Sequence, residues 1–387
     1  MNKKTNLLLL SLLVSVGLFV YLILHHYAVK MGLAGNSLCS VSETLNCDAA
    51  ATSSFSELFG IPVAVLGGIF SFLFFSFVLF LKFDWVERSI FALTTVRFML
   101  IVATATSVVM AAFSLFYLKV ACPFCIGTYI LSFLQLYLGW NLFKSNDAVD
   151  FKQYLQDYKS HLIFLACIPI LSWALSGMLK QTYGLDEVQK LIPEKLLQWK
   201  SSPEQSFNMA DGLIRPGTDS KITLVEFADF KCSHCKTASQ TIESFLKGNP
   251  QVTFIFKPFP LDGVCNNAIP TKGDGTRCTL AAWALCAEKT QKRGWAVHHW
   301  IFEKQQQLST VTDLKPLLKE LEKDLQIDTA ALTQCSDSNE TFELIKRVAD
   351  EGAKAQVQGT PTMYMNNRKL PYGQFLDVLK AAAASIK

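Results

Sequence analysis

Two short motifs in this chain place a pair of cysteines on either side of two intervening residues. The first is C-P-F-C at Cys122 and Cys125, which lies where one long apolar run ends and another begins. The second is C-S-H-C at Cys232 and Cys235, in a much more polar region. Such a pair can cycle between a dithiol and a disulfide, or it can supply two ligands to a zinc ion. The chain therefore carries two candidate redox pairs in two different solvents.

Seven of the 11 cysteines lie outside these motifs. Cys39 and Cys47 lie between the first two apolar runs, and Cys167 lies inside a later run, where we interpret it as a small buried hydrophobe. The other four are in the C-terminal half: Cys265, Cys278, Cys286 and Cys335. Nearly all of the cysteines can be assigned to plausible pairs, which is typical of an oxidising compartment such as a periplasm.

The four cysteines of the C-terminal half allow three pairings. Cys278 and Cys286 are eight positions apart on one predicted helix, which separates them by about 12 Å. A disulfide requires Cα atoms closer than about 7 Å, so the pairing that joins these two is excluded. Two pairings stay open on this reasoning.

Cys232 is the predicted nucleophile of its pair. The stretch KITLVEFADF before it has the β-branched and aromatic residues of a strand, and CSHCKTASQTIESFL after it is typical of a helix. The unpaired N–H groups and positive dipole end of a helix N-terminus stabilise a thiolate, and His234 can add positive charge or a hydrogen bond. Cys235 is then the resolving thiol. A zinc site or an inert pair is the alternative.

Composition divides the chain into two parts. Hydrophobic residues make up 50% of the 387 residues and charged residues only 18%, but the excess of apolar residues ends near Lys180. The net charge of +4 includes no basic cluster that would indicate nucleic-acid binding. We predict a four-helix transmembrane domain over residues 1–150, a fifth transmembrane helix and linker over 151–205, and an α/β domain over 206–387.

Five apolar runs are long enough to span a bilayer, which takes about 20 helical residues. They cover residues 7–27, 62–81, 90–118, 125–143 and 162–178. The first run could be a signal peptide, but no small-x-small cleavage site follows it, so we favour an uncleaved span. Arg97 lies near one end of the third run, where its side chain can snorkel to the interface.

Basic residues indicate the orientation of these spans. They cluster before the first run, between the second and third, and between the fourth and fifth: Lys3, Lys4, Lys82, Arg88, Lys144, Lys152 and Lys159. The positive-inside rule assigns these segments to the cytoplasm. We therefore predict a multi-pass protein of the bacterial inner membrane with a cytoplasmic N-terminus and a periplasmic C-terminal domain. Cys39, Cys47 and both C-x-x-C pairs then face one compartment.

The C-terminal half resembles a DsbA-like domain, a thioredoxin fold with a helical insertion. The order is strand, C-x-x-C, helix, the strand QVTFIFKPFP, a helical block over residues 277–349, then G-T-P, a hairpin with an Asn-Asn turn, and a helix over 374–386. The resemblance implies a cis proline at Pro361 beside the active cysteines. It also implies structural Cys286–Cys335 and Cys265–Cys278 disulfides, because similar domains tie the inserted helix to a cysteine near its end.

Residues 7–143 resemble the vitamin K epoxide reductase family. The residues that carry the resemblance, in order, are Cys39, Cys47, Ser53, Phe59, Gly60, Pro62, Cys122, Cys125 and Tyr129. The resemblance implies that Cys39 exchanges with the thioredoxin-like domain, that Cys47 attacks Cys122, and that Cys125 faces a quinone. It further implies that Ser53, Phe59 and Tyr129 contribute to the quinone site.

Other interpretations of these residues remain open. Cys39, Cys47, Cys122 and Cys125 could form a four-cysteine zinc site, although we expect no metal. Ser53 could be a helix cap, and the glycines of GIPVAVLGG could serve close helix packing. Phe55 and Phe59 are more often packing residues than cofactor contacts.

The sequence therefore predicts a membrane-bound thiol oxidase that forms disulfides in secreted proteins and passes electrons to ubiquinone or menaquinone. Its expected partners are reduced periplasmic proteins and the membrane quinone. The alternatives are vitamin K epoxide reduction, a reductase or isomerase with reversed electron flow, and a binding module without catalysis. The two intact C-x-x-C motifs argue against the last of these.

Overall fold

The computed structural model describes residues 3–31, 47–53, 55–87, 90–118, 121–142, 151–219, 221–309 and 311–386. The chain forms two compact units, of which the first ends at Asp186 and the second begins at Glu187. Cys39, Arg88 and Lys144 lie outside the described residues.

The first unit is helical. Its elements are α1 Lys3–Lys30, α2 Cys47–Thr52, β1 Glu57–Leu58, β2 Ile61–Pro62, α3 Val63–Lys82, α4 Ile90–Ala112, a π-helical segment Phe113–Leu118, α5 Pro123–Leu142 and α6 Phe151–Thr182. Within the described residues, three helical segments are long and apolar enough to cross a membrane: Lys3–Lys30, Val63–Lys82 and Ala92–Phe116. The helices α5 and α6 cover the fourth and fifth predicted spans, but the expected count of five is not confirmed.

Helices α1, α3, α4 and α5 share one apolar core, which includes Leu12, Phe74 and Leu100. The GIPVAVLGG segment brings α3 close to α1, because Phe19 of α1 packs directly over Gly67 and leaves no room for a Cβ atom. The small residues of that segment therefore serve helix packing, one of the roles that the sequence left open.

The second unit contains a five-stranded sheet. Its elements are α7 Leu185–Ser201, β3 Leu213–Arg215, β4 Ile222–Ala228, α8 Ser233–Gly248, β5 Val252–Pro258, α9 Thr276–Gln291, α10 Gly294–Glu303, α11 Gln305–Ser309, α12 Lys315–Leu325, α13 Thr329–Ser336, α14 Asn339–Lys354, β6 Thr362–Met365, β7 Arg368–Lys369 and α15 Leu376–Ala384. The strand order is β3-β5-β4-β6-β7. Strand β4 runs parallel to β5 and antiparallel to β6. The predicted α/β fold with a helical insertion is confirmed.

Two features of this unit differ in detail from the sequence prediction. Strand β3 was missed, because three residues among turn-forming neighbours give little periodic signal. The predicted exit helix is α7, and it packs on the sheet: Trp199 is buried, and its Nε1–H donates to the Met365 carbonyl at 2.9 Å.

At the hairpin turn, Asn366 and Asn367 both have positive φ angles, as a two-residue turn of type I′ requires.

The structure contains both disulfides that the resemblance implied. Cys265 and Cys278 are joined with a Cα–Cα distance of 6.0 Å, and Cys286 and Cys335 with 5.8 Å. The first ties the loop after β5 to α9, and the second ties α9 to α13. Each anchors the helical insertion at a different point.

Candidate active site

Cys232 is the N-cap residue of α8, the helix that follows β4 in the chain. It is half-buried, and its Sγ lies 3.4 Å from the Thr360 carbonyl oxygen. The peptide bond from Thr360 to Pro361 is cis, and it lies beside the reactive sulfur. Cys235 is fully buried one turn into the helix, and both cysteines are thiols in this structure. His234 is exposed.

The pKa of Cys232 is lowered from 9.0 to about 5. The main cause is a hydrogen bond from the Cys235 thiol, and hydrogen bonds from the Thr360 side chain and the backbone N–H groups of Cys235 and His234 lower the pKa further. The thiol is therefore ionised at neutral pH, which makes Cys232 a nucleophile and a good leaving group. The reduced form gains stability from this ionisation. The gain is complete above the ordinary thiol pKa, shrinks as the pH falls, and is lost below about 5.

We expect the alkylation rate of Cys232 to be constant above neutral pH and to fall as the pH drops through about 5. In Cys235→Ala the midpoint should move upward, because the main hydrogen bond to the thiolate is gone. Iodoacetamide labelling of the reduced protein, read by mass spectrometry of the Cys232 peptide, measures both profiles. A wild-type midpoint near 9.0, the ordinary thiol value, would contradict the assignment of Cys232 as the nucleophile.

Glu226 is a fully buried acid on β4, and sequence analysis missed it. Burial, and then the nearby charge of Cys232, raise its pKa to about 8. Within the described part of the chain, neither carboxyl oxygen has a hydrogen-bond partner. Burial first, and the charge of Glu226 among other causes, raise the pKa of Cys235 well above its ordinary value. The charges of Glu226 and the cysteine pair therefore influence each other's ionisation through space.

The buried Lys257 of β5 pairs with Phe227, the residue after Glu226 on β4, so its side chain lies on the opposite face of the sheet from Glu226. Its ammonium group donates to the Asn208 carbonyl at 2.7 Å and lies 2.6 Å from Glu351 Oε2. The positive charge of Lys257 therefore lies beside Asn208 and Glu351. The signal for Glu226 in the sequence was a single acid inside an otherwise apolar strand, since such a group is costly to bury without a function.

Gln305 of α11 holds the backbone of the active segment. Its Nε2 donates to the carbonyl oxygens of Phe230 at 2.8 Å and Cys232 at 2.9 Å. The side chain is buried, and nothing in the sequence marked it, because the contact joins positions more than 70 residues apart. Gln305 therefore holds the backbone between Phe230 and the nucleophile, Cys232.

We expect Gln305→Glu to raise the pH midpoint of Cys232 alkylation, because a carboxylate would replace an amide donor near the thiolate. Gln305→Ala should raise it less, since it only releases the two carbonyls. The matched control is Gln307→Glu, two positions further along the chain, where the exposed side chain contacts Glu320 instead. Equal shifts in all three variants would contradict the positioning role of Gln305.

A second sulfur contact lies in the first unit. Cys47 Sγ lies 3.2 Å from Cys122 Sγ, and both residues are buried. Cys47 is disulfide-bonded, whereas Cys122 and Cys125 are thiols. The predicted partner of Cys47, Cys39, lies outside the described residues, so that pairing stays a prediction. A sulfur in a disulfide is not a thiolate ligand, which argues against the four-cysteine zinc site in this state.

Cys122 directly precedes α5, as Cys232 precedes α8. The Cys125 backbone N–H donates to Cys122 Sγ at 3.3 Å, so a helix N-terminus faces this sulfur too. Tyr129 lies one turn after Cys125 on the same helix. Cys125 lies in the apolar cluster of Cys47 and Cys122, against which Phe124 also packs.

The other predicted quinone residues are placed differently. The Ser53 hydroxyl donates to the Ala50 carbonyl at 2.9 Å, which closes the end of α2 and matches the capping alternative. Phe59 is 95% exposed at the tip of the β1–β2 hairpin, where Phe59 and Gly60 both have positive φ. The structure brings neither Ser53 nor Phe59 into contact with Cys125. Phe55 stacks on Phe113 at 4.9 Å, which is a packing role.

Comparison with known proteins divides the chain in the same way. The model of the vitamin K epoxide reductase family matches residues 7–140, and that of the DSBA-like thioredoxin domain matches residues 223–384. Both matches include the cysteine pairs described above.

Individual relatives match parts of the chain. The probable disulfide bond formation protein D of Bacillus anthracis is 27% identical over 156 residues, which are 38% of this chain and 66% of that protein. The Na(+)/H(+) antiporter NhaA 3 of Salinispora tropica is 26% identical over 172 residues, which are 44% of this chain and 24% of that protein. The chain thus spans less than two thirds of either relative. Oxidised BdbD from Bacillus subtilis shows 22% identity and a TM-score of 0.40, and the match covers 48% of this chain and 97% of that one.

The matched regions contain a C-x-x-C pair each, and each pair has its first cysteine at a helix N-terminus. The N-terminal region is thus similar to the vitamin K epoxide reductase family, and the C-terminal region is similar to DSBA-like thioredoxin domains.

Proposed function

We propose that this protein is a quinone-coupled thiol oxidase that forms disulfides in secreted proteins. The observation that carries the proposal is the 3.2 Å contact between Cys47 Sγ and Cys122 Sγ. Thiol-disulfide exchange proceeds through a mixed disulfide, and two sulfurs at this distance need little movement to form one. A thiol oxidase also needs a cysteine pair that is more stable when reduced. The low pKa of Cys232 stabilises the reduced form of the Cys232–Cys235 pair.

The reaction begins at the Cys232–Cys235 disulfide. A substrate thiolate attacks Cys232 Sγ, the S–S bond breaks, and Cys235 leaves as a thiolate that then takes up a proton. A second substrate thiolate attacks the substrate sulfur of the mixed disulfide. Cys232 then leaves as a stable thiolate, and the substrate departs with a disulfide. The two electrons lost by the substrate now reside in the Cys232–Cys235 dithiol.

Reoxidation uses the first unit. The Cys232 thiolate attacks Cys39 of the Cys39–Cys47 disulfide, and Cys235 resolves the mixed disulfide. The released Cys47 thiolate attacks Cys122 of the Cys122–Cys125 disulfide, and Cys125 leaves. Cys39 then attacks Cys47, which releases Cys122. Each step breaks one S–S bond and forms another, so the electron pair moves from one dithiol to the next.

The residues around Cys125 fit a lipid-soluble acceptor. Cys125 is half-buried near the start of α5, in the apolar cluster of Cys47 and Cys122, with Tyr129 on the next turn. A quinone bound there would accept the two electrons and two protons of the Cys122–Cys125 dithiol. Cys125 and Tyr129 would hold it, whereas the geometry of Phe59 and Ser53 offers no support for their predicted parts.

The proposed location is the bacterial inner membrane, with the DSBA-like domain on the periplasmic side. Lys3 and Lys4 at the start of α1 and Lys82 at the end of α3 support this orientation, since the positive-inside rule places them in the cytoplasm. A membrane-impermeant maleimide added to intact spheroplasts should label reduced Cys232. Labelling only after lysis would contradict the orientation.

The deciding experiment is quinone reduction by a reduced peptide in the purified, detergent-solubilised protein. A steady absorbance change of a soluble quinone, coupled one-to-one to peptide disulfide formation, would support the proposal. Peptide oxidation without quinone reduction would refute the coupling. Vitamin K epoxide offered in place of the quinone tests the main alternative.

A further inference from the structure

The C-terminal end of α1 lies beside the sulfur contact of the first unit, because Tyr21 packs against the cluster of Cys47 and Cys122. Tyr21 and His25 are four residues apart, so their side chains share one face of the helix. Their rings lie nearly parallel, with centroids 5.8 Å apart. Tyr21 packs against Phe124, the residue between Cys122 and Cys125, with centroids 4.5 Å apart.

His25 faces the other cysteine pair. Its Nε2 lies 2.9 Å from Asp48 Oδ1, and Asp48 directly follows Cys47 in α2. The histidine side chain is 7% exposed and the aspartate side chain 21%, so the contact is largely shielded from solvent. One face of α1 thus reaches Phe124 through Tyr21 and α2 through His25.

The neighbouring His26 makes a separate contact. Its Nε2 lies 3.1 Å from Glu57 Oε1 on β1, the first strand of the hairpin that leads into α3. This pair holds a different element and does not adjoin either cysteine of the sulfur contact. It therefore provides a matched comparison within the same turn of α1.

We propose that His25, through Asp48, is a positioning residue that holds Cys47 against Cys122. Tyr21 supports this arrangement by packing against the rings of His25 and Phe124. The inference rests on the proposed function, because it assigns these residues to the Cys47–Cys122 exchange step. Holding two thiols close together raises their effective concentration. The contact between His25 and Asp48 should therefore control the effective concentration of Cys47 at Cys122. In this role His25 acts through Asp48, and Tyr21 acts through its packing against the cluster of Cys47 and Cys122.

The test isolates the exchange step in the full-length protein. A Cys39→Ser, Cys125→Ser background removes the proposed disulfide partners of Cys47 and Cys122, so that a link formed at the 3.2 Å contact is not resolved by either of them. A short pulse of diamide takes up two electrons and two protons as the disulfide forms. Peptide mapping without reductant then quantifies the Cys47–Cys122 link. Alkylation of Cys122 by N-ethylmaleimide, measured in parallel, reports its intrinsic reactivity.

Asp48→Ala and His25→Ala should slow formation of the link by about tenfold or more, while Cys122 alkylation changes less than about twofold. The exchanged pair His25→Asp with Asp48→His should restore the rate. Glu57→Ala should have little effect on it. Unchanged linking in both alanine variants would overturn the proposal. So would equal slowing in Glu57→Ala, or no recovery in the exchanged pair, because either would indicate general loosening of the outer surface.

This assay needs neither peptide nor quinone. If quinone reduction fails while the link depends on His25 and Asp48, the proposed function is wrong and the positioning role stands. If the link forms equally fast in all variants while peptide-driven quinone reduction proceeds, only the positioning role is wrong.

Discussion

Replacing Cys232 with alanine is expected to lower the oxidation of a peptide dithiol at least a hundredfold, to the uncatalysed rate. Cys232 is the accessible sulfur of its pair, and its thiolate is the leaving group that makes the second exchange fast. Cys235 is fully buried, with a pKa raised well above its ordinary value, so it cannot take over this role. The measurement is the rate of peptide disulfide formation with a soluble quinone present.

Two further variants make this result specific. Cys235→Ala should also lose turnover, but its Cys232 thiol should still form a stable mixed disulfide with an oxidised peptide, visible by mass spectrometry. Cys167→Ala removes a thiol from α6 that takes no part in the proposed path, and its rate should match the wild type. Retention of more than a tenth of the activity in Cys232→Ala would rule out Cys232 as the entry point.

Replacing Cys47 with alanine is expected to stop catalysis after a single turnover. The Cys232–Cys235 disulfide can still oxidise one equivalent of peptide, but it cannot be regenerated, because the sulfur that contacts Cys122 is missing. A rapid-quench time course should show a burst of one disulfide per protein followed by no steady rate. The quinone should stay oxidised with peptide as donor.

A small membrane-permeant dithiol provides the control for Cys47→Ala. Since it can reach Cys122 and Cys125 directly, it should still reduce the quinone in this variant, whereas Cys125→Ala should be inactive with either donor. Sustained turnover of Cys47→Ala with peptide would show that the two C-x-x-C pairs exchange without the loop cysteine, and the proposed relay would have to be shortened.

The sequence was a good guide wherever function depends on local pattern. The strand before Cys232, the helix after it and the helical block over residues 277–349 all have periodicity strong enough to recognise, and each is in the structure. Both disulfides could be assigned only through family resemblance, because spacing alone left two pairings open. The chemistry of C-x-x-C at a helix N-terminus likewise follows from local sequence.

What the sequence missed depends on contacts between distant segments. Gln305 donates to the backbone of the active segment from a position more than 70 residues away in the chain. Phe59 matches the family pattern, but the structure exposes it at a hairpin tip. Neither outcome can be derived from residue type and spacing. For the membrane helices, apolar length predicted five spans, and the described residues support three.

Cys122 and Cys232 share one local design, a sulfur placed one residue before a helix, with the helix N-terminus facing it. A helix end favours the thiolate, and hence the reduced state, at both pairs by a similar mechanism. Its contribution therefore largely cancels from the difference in reduction potential between them. In the proposed relay, the difference in potential would then come from what is not shared: the buried Glu226, whose charge affects Cys235, and the apolar cluster around Cys125. Substitutions meant to reverse the direction of electron flow should therefore target Glu226 and the residues around Cys125, and leave both helix N-termini unchanged.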